Sequence, residues 1–270
     1  MTEVSVIMGV YNCKNPKLLV NSINSVINQT YRDWEFIICN DGSTDNGITL
    51  NLLKEYESKD SRIRIVTYEK NKGLAYALNE CLKISTGKYI LRQDDDDVSK
   101  PYRFQRLIEY ADNHPEYAVI GSIADVTDDN GIWGVYSLEE FPNKRSFYWN
   151  SPFAHPTVLI RRCVIESLGG YRVSKETNRH EDYDLFMRIY AAGYKGCNIQ
   201  EKLYEYRIVN GDKKYRPMGD RVNEAIVRYK GFKNMKVLLG GMLYVIKPLI
   251  VGLIPQKIFK VIKKYQYKTK

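Results

Sequence analysis

Four aspartates in a row, Asp94 to Asp97, close the apolar segment of "KYILRQDDDDVSK". Adjacent carboxylates repel, so the run asks for solvent or for a compensating charge. A solvated loop would need no partner. A calcium loop of the helix-loop-helix type wants Gly at its sixth position and Glu at its twelfth. Counting from Asp94 gives Ser99 and Gln105 instead. A Mn2+ or Mg2+ ion held by two carboxylates and by substrate phosphates fits better, because both ions take hard oxygen ligands and magnesium leaves positions open for phosphate. In an extended segment alternate side chains share a side, so Asp94 and Asp96 would face the ion while Asp95 points elsewhere.

Two further acidic clusters stand apart in the sequence. "DGSTDN" (41–46) is turn-forming, and Ser43, Thr44 or Asp45 could cap the next helix. Asp41 comes first in that stretch, where a carboxylate could accept hydrogen bonds from a ribose or a base edge. "HEDYDLF" (180–186) brings Glu181 and Asp182 to a helix start. Acids there are also favourable to the helix dipole, by ~0.3–1 kcal/mol, without any further role. The three histidines, His114, His155 and His180, are dispersed. Packing explains each of them, although His155 and His180 could border an acceptor pocket.

These residues need a frame that gathers them. Residues 1–98 alternate short apolar runs with amphipathic stretches: strands over 4–10, 34–40, 63–69 and 87–93, and helices over 15–29, 47–58 and 73–85. Asn15 before Pro16 is the expected cap of the first helix. Such alternation predicts an α/β fold with a mostly parallel sheet and helices on both faces. Ligands of such sheets bind beyond the carboxyl ends of the strands. Tyr11 and Asn12, the 41–46 turn and the aspartate run all follow strands, so all three would share one edge. The second half is less regular, with a helix over 101–114, strands at 117–124 and 155–162, and a helix over 180–194 that turns Leu185, Phe186, Ile189 and Tyr190 inward.

The chain has 270 residues, 44% hydrophobic and 12% aromatic, enough for a sizeable core. Its formal charge is +9. No Asp or Glu follows Glu224, whereas eleven Lys and Arg do, so the body is close to neutral and the tail is basic. That distribution is unlike the basic face of a nucleic-acid-binding domain. It suits an anionic membrane surface. "VLLGGMLYVIKPLIVGLIP" (237–255) contains Lys247 and Pro248, which disfavour a membrane span. "PQKIFKVIKKYQYK" (255–268) has an interfacial amphipathic pattern. The alternative is a helix packed on the catalytic body or on a partner subunit. Five scattered cysteines without a C-x-x-C pair, and an N-terminus without a secretion-signal pattern, give the expectation of reduced thiols in a cytoplasmic protein peripheral on the inner face of the cell membrane. "MGVYNCKN" holds a single Gly after the first strand, which excludes the dinucleotide fingerprint of nicotinamide enzymes.

Taken in order, "VSVIMGVYN", "DWEFIICNDGSTDN", "NKGLAYALNECLKISTGKYILRQDDDDVSKPYRFQ", "HPTVLIRR", "LGGY" and "EDYDLFMRIYAAGY" resemble the inverting nucleotide-sugar glycosyltransferases of family 2, which have the GT-A fold. The resemblance spans roughly residues 3 to 210. It implies that 1–98 form a nucleotide-sugar-binding half and 99–215 an acceptor-binding half, while the basic and amphipathic residues described above make 216–270 a helical membrane-association tail. It also implies that Tyr11 borders the donor base, that Asp41 hydrogen-bonds the base, and that Asp94 and Asp96 contact ribose and metal as the outer positions of D-x-D. Asp97 matches a further acid of less defined role. Asp182 matches the general base, with Glu181 beside it in the acceptor pocket, and Arg207 is the candidate cation near the diphosphate. Gln93 stands where relatives often have an apolar residue, and Asp95 where a small one is usual, which leaves open which two aspartates hold the metal. The implied partners are a nucleotide-sugar donor, a glycan or lipid-linked acceptor and an anionic membrane, with no nucleic acid. Sugar-phosphate nucleotidyl transfer is a competing reading, but the Gly-rich basic loop it needs after strand one is missing. A non-catalytic membrane-attached binding protein is the third.

Overall fold

The computed structural model describes residues 2–209 and 216–253. The expected alternation is present. Strands β1 (Val4–Val10), β2 (Trp34–Asn40), β3 (Ile63–Thr67) and β4 (Tyr89–Arg92) alternate with helices α1 (Pro16–Ile27), α2 (Ile48–Lys59) and α3 (Leu74–Ile84). Asn15 does cap α1, its side chain accepting from the Lys17 amide at 3.1 Å. Beyond β4 come the short β5 (Val98–Ser99), α4 (Arg103–Asn113), β6 (Tyr117–Asp128), β7 (Gly131–Tyr136), β8 (Leu159–Arg161), α5 (Arg162–Ser167), α6 (Glu181–Ala191) and β9 (Lys195–Arg207). Helices α7 (Met218–Asn234) and α8 (Leu238–Leu253) follow.

Among the described residues the strands form one sheet in the order β3-β2-β1-β4-β8-β6-β9-β5, with β7 paired to β6. β1 is parallel to β2 and β4, and β2 to β3. The second half is mixed: β8 is antiparallel to β4 and β6, while β6 and β9 run parallel. The sheet therefore continues across residue 98.

Strand side chains alternate between two cores. Val4, Val6, Met8 and Val10 pack with Leu19, Ile23, Leu53 and Phe104 of α1, α2 and α4. Ile7, Ile37 and Cys39 face Leu78 of α3, Ile165 of α5, Phe186 of α6 and Val227 of α7. Burial on both faces explains why these strands read as unbroken apolar runs. Leu185, Phe186, Ile189 and Tyr190 are all buried, as the spacing of α6 predicts. All five cysteines are free thiols.

The C-terminal unit is helical. Gly231 of α7 leaves room for Met187 of α6, and Gly241 of α8 lies against Tyr148 and Phe232. Among the described residues no helix is long and apolar enough to cross a membrane. The amphipathic pattern of 255–268 lies outside the described residues.

Candidate active site

The parallel strands β1, β2 and β4 end at one edge, and side chains tie the loops beyond them together. The Asn12 amide donates to Ser43 Oγ at 2.9 Å, and Asn12 Oδ1 accepts from the Thr44 amide at 2.7 Å. Ser43 and Thr44 thus bridge loops, while Asp45 accepts from the Thr49 amide in the first turn of α2. Tyr11 is 46% exposed at this edge. Asp41 is buried, and its carboxylate accepts four hydrogen bonds from the protein. Oδ1 takes the Tyr68 hydroxyl and the Lys72 amide; Oδ2 takes the Asn71 side chain and the Gly73 amide. Gly42 adopts φ +64, and a Cβ there would lie 2.4 Å from the Lys70 carbonyl carbon. The Asp-Gly pair therefore clamps the 70–73 loop against the strand edge.

The aspartate run is not extended as the sequence suggested. It turns at Asp95 and Asp96, so period-two alternation does not sort its side chains. The turn is built on Gln93, which is fully buried. Its Nε2 donates to Ser22 Oγ and to the Asp97 carbonyl, and its Oε1 accepts from Ser99 Oγ and Arg103 Nη1. Arg92, 1% exposed, donates from Nη2 to Asp94 Oδ1. Asp97 is buried and accepts from the Arg207 amide at 2.7 Å. The Arg207 guanidinium is paired with Asp129 at 2.9 Å. Burial, then the charges of Asp96 and Asp94, push the Asp95 carboxyl up to about 7. Burial and the charges of Asp94 and Asp96 raise Asp97 as well.

Glu181 and Asp182 open α6, packed against the other half of the sheet. Glu181 is 8% exposed, and burial followed by the Asp182 charge lifts its carboxyl to about 7. Burial also raises Asp182, opposed by the amides at the helix start and by Arg216; the Asp94 charge adds to the rise. Asp182 and the aspartate turn thus share one electrostatic field. Tyr171 lies in it too: burial raises its hydroxyl, Arg92 opposes this, and Asp182, Glu181 and Asp94 reinforce it. His155 is buried with Nε2 2.8 Å from the Tyr171 hydroxyl, and burial aided by the Arg92 charge holds its imidazole well below the ordinary range. His155 therefore stands behind Tyr171 as a neutral ring. His180 precedes α6, its Nε2 3.3 Å from the Asp220 carbonyl. His114 ends α4.

Reading by residue type missed Arg92, Gln93, Tyr171 and Arg216. Arg92 and Gln93 look like the polar end of a strand, and only the fold of 94–103 over them makes them interior. Arg216 lies 3.6 Å from Glu224 of α7 and acts on Asp182. No group of three or more His, Cys, Asp or Glu among the described residues is disposed to hold a metal. The hard-oxygen donor set and the mutual repulsion within Asp94–Asp96 nevertheless fit a divalent ion shared with phosphate oxygens. Asp94 and Asp96 would be its protein ligands.

Residues 5–169 match the family described as Glycosyl transferase family 2. EpsE of Bacillus subtilis (strain 168) is 38% identical over 254 residues, covering 94% of this chain and 90% of that protein. The UDP-Gal:alpha-D-GlcNAc-diphosphoundecaprenol beta-1,3-galactosyltransferase of Escherichia coli is 29% identical, covering 76% of this chain and 74% of its own. Among solved structures, S. aureus TarS 1-349 in complex with UDP-GlcNAc superposes with a TM-score of 0.70 at 18% identity, over 91% of this chain and 73% of that one. The mannosyltransferase PcManGT of Pyrobaculum calidifontis, in complex with GDP-Man and Mn2+, gives 0.62 at 16% identity, over 98% of this chain and 80% of that one. Both share the α/β fold described above.

Proposed function

The chain belongs to glycosyl transferase family 2, and on that footing we propose that it inverts the anomeric centre of a hexose while moving it from a nucleoside diphosphate, UDP by preference, to a hydroxyl of a glycan or lipid-linked acceptor in surface polysaccharide synthesis. One observation carries this reading: Asp182, a half-buried carboxylate in the first turn of α6, feels the charge of Asp94 in the turn that follows β4. The Escherichia coli relative, which acts on a diphosphoundecaprenol acceptor, and TarS, which binds UDP-GlcNAc, support the acceptor and donor classes.

The chemistry follows from the groups. The acceptor hydroxyl attacks the anomeric carbon from the face opposite the leaving diphosphate and gives its proton to Asp182. One displacement inverts that carbon and needs no covalent intermediate. Burial favours the protonated form of Asp182, so the transfer is less uphill than to a solvated carboxylate. Glu181 borders the acceptor, and His155 steadies that wall through Tyr171. Tyr11 borders the base. Asp41 fixes the 70–73 loop beside it through its four hydrogen bonds. Arg92 orients Asp94, and the Arg207 main chain holds Asp97. The Arg207 guanidinium would have to leave Asp129 to reach a diphosphate. Mn2+ or Mg2+, held by Asp94 and Asp96, would supply Lewis-acid stabilisation of the leaving diphosphate. The basic C-terminal segment would keep the enzyme at the anionic inner face of the membrane, where a lipid-linked acceptor lies.

Turnover of a nucleotide-sugar panel with and without Mn2+ tests the reading. Asp182→Asn should cut transfer by roughly 10²–10⁴-fold while donor affinity stays near wild type. Asp96→Ala should instead weaken Mn2+-dependent donor binding. Near-normal turnover in Asp182→Asn would remove the base assignment.

A further inference from the structure

Every exposed side chain of α8 is apolar. Leu239 is 97% exposed, Leu243 76% and Leu253 76%, and Met242, Ile246 and Ile250 are exposed beside them. At 3.6 residues per turn these six positions fall within an arc of about 100°. The opposite side, Gly241, Val245 and Pro248, is buried on the body. The one charged residue of the helix, Lys247, is turned away from the apolar arc. Its Nζ donates to the Trp149 carbonyl and sits 3.6 Å from the centroid of the Trp149 ring. The lysine that argued against a membrane span in the sequence is thus folded onto the protein, and the outward face carries no charge.

The surroundings say what covers this face. Lys233 and Lys236, both exposed, precede the helix, and six lysines without an acid follow in 254–270. A second copy of the chain would bring two such cationic margins together, which opposes self-association. A bilayer with anionic headgroups complements both the apolar face and its basic border. Among the described residues no helix can span, so the contact lies in the plane of the membrane. We propose that the outward face of α8 embeds at the headgroup–acyl boundary of an anionic bilayer. The face is coupled to the reaction centre. α8 packs on α7, whose Asp220 accepts from Arg179 at 3.2 Å and whose Asp220 carbonyl faces His180, next to Glu181 and Asp182. Docking on α8 therefore sets where the base stands relative to the membrane. The inference deepens the reading of a lipid-borne acceptor, and rests on that reading for its purpose.

The experiment uses the full chain and sedimentation with phosphatidylcholine vesicles, with or without phosphatidylglycerol. Wild type should partition onto the anionic vesicles, and Leu243→Glu/Ile250→Glu should bind them about tenfold less or weaker still. The double variant should keep its melting temperature and its turnover of a water-soluble acceptor. As a second measurement, Leu243→Trp fluorescence should be quenched by brominated lipid in anionic vesicles. Unchanged partitioning of the double variant, or no quenching at position 243, would overturn the proposal. So would a wild-type dimer in sedimentation velocity that the double variant dissolves without any vesicle binding. A wild type that binds the vesicles but turns over no nucleotide sugar would instead refute the enzymatic reading and leave this one standing.

Discussion

In the parallel half of the sheet, the carboxylates at the site are bound into the protein. Asp41 accepts four hydrogen bonds, Asp94 is held by Arg92, and Asp97 takes the Arg207 amide. In the mixed half, Glu181 and Asp182 stand at the head of α6, where the helix-start amides oppose a larger effect of burial. The contrast separates two uses of one functional group. A carboxylate supplied with donors serves as a strut that holds loops in place. At the head of α6 burial raises the proton affinity of both acids, as a base requires.

Three measurements would break or sharpen that contrast. The largest effect should come from Gln93→Leu, which removes the strut beneath the aspartate turn. It removes the donor to the Asp97 carbonyl and leaves Ser99 Oγ and Arg103 Nη1 only each other, which should cost about 1–3 kcal/mol. Urea unfolding should show the loss, and donor KM should rise more than kcat falls. A variant as stable as wild type would mean that the turn does not depend on Gln93.

A smaller effect concerns pH. With Asp182 as the proposed base, which must be unprotonated and whose pKa burial raises, kcat should fall on acidification with a midpoint above the ordinary carboxylate value of about 3.9. Burial and then the Asp182 charge push the Glu181 carboxyl up to about 7, and the repulsion is mutual. Glu181→Gln should therefore move the acid limb of the kcat profile to lower pH. A limb that stays in place in the kcat profile would uncouple the two acids. The smallest effect should come from Asn15→Ala, which removes the side-chain cap of α1. It should lower stability by ~1 kcal/mol in urea unfolding and leave kcat unchanged.

Legibility follows the same division. The first half reads well because its strands are buried on both faces and its helices have one apolar side, so local pattern and final environment agree. Strand β9 escaped notice for a physical reason. Its register against β6 shifts at three places, which breaks the two-residue period, and its sequence mixes Lys, Glu and Gln with apolar residues. Helix α8 was visible as an apolar stretch, but Lys247 made its exposure ambiguous until the Trp149 contact accounted for it.

The sequence by itself determined the strand-helix alternation, the polar loops at the carboxyl edge and the acidic start of α6, because each depends on residues within one or two turns of chain. Tertiary structure alone decided that Arg92 and Gln93 are interior and that Asp182 feels the charge of Asp94. Those facts depend on β8 pairing antiparallel with β4 and on Arg103 folding back over Gln93. Contacts between segments so far apart are selected by packing and by the need to satisfy buried polar groups, and neither leaves a local periodic trace.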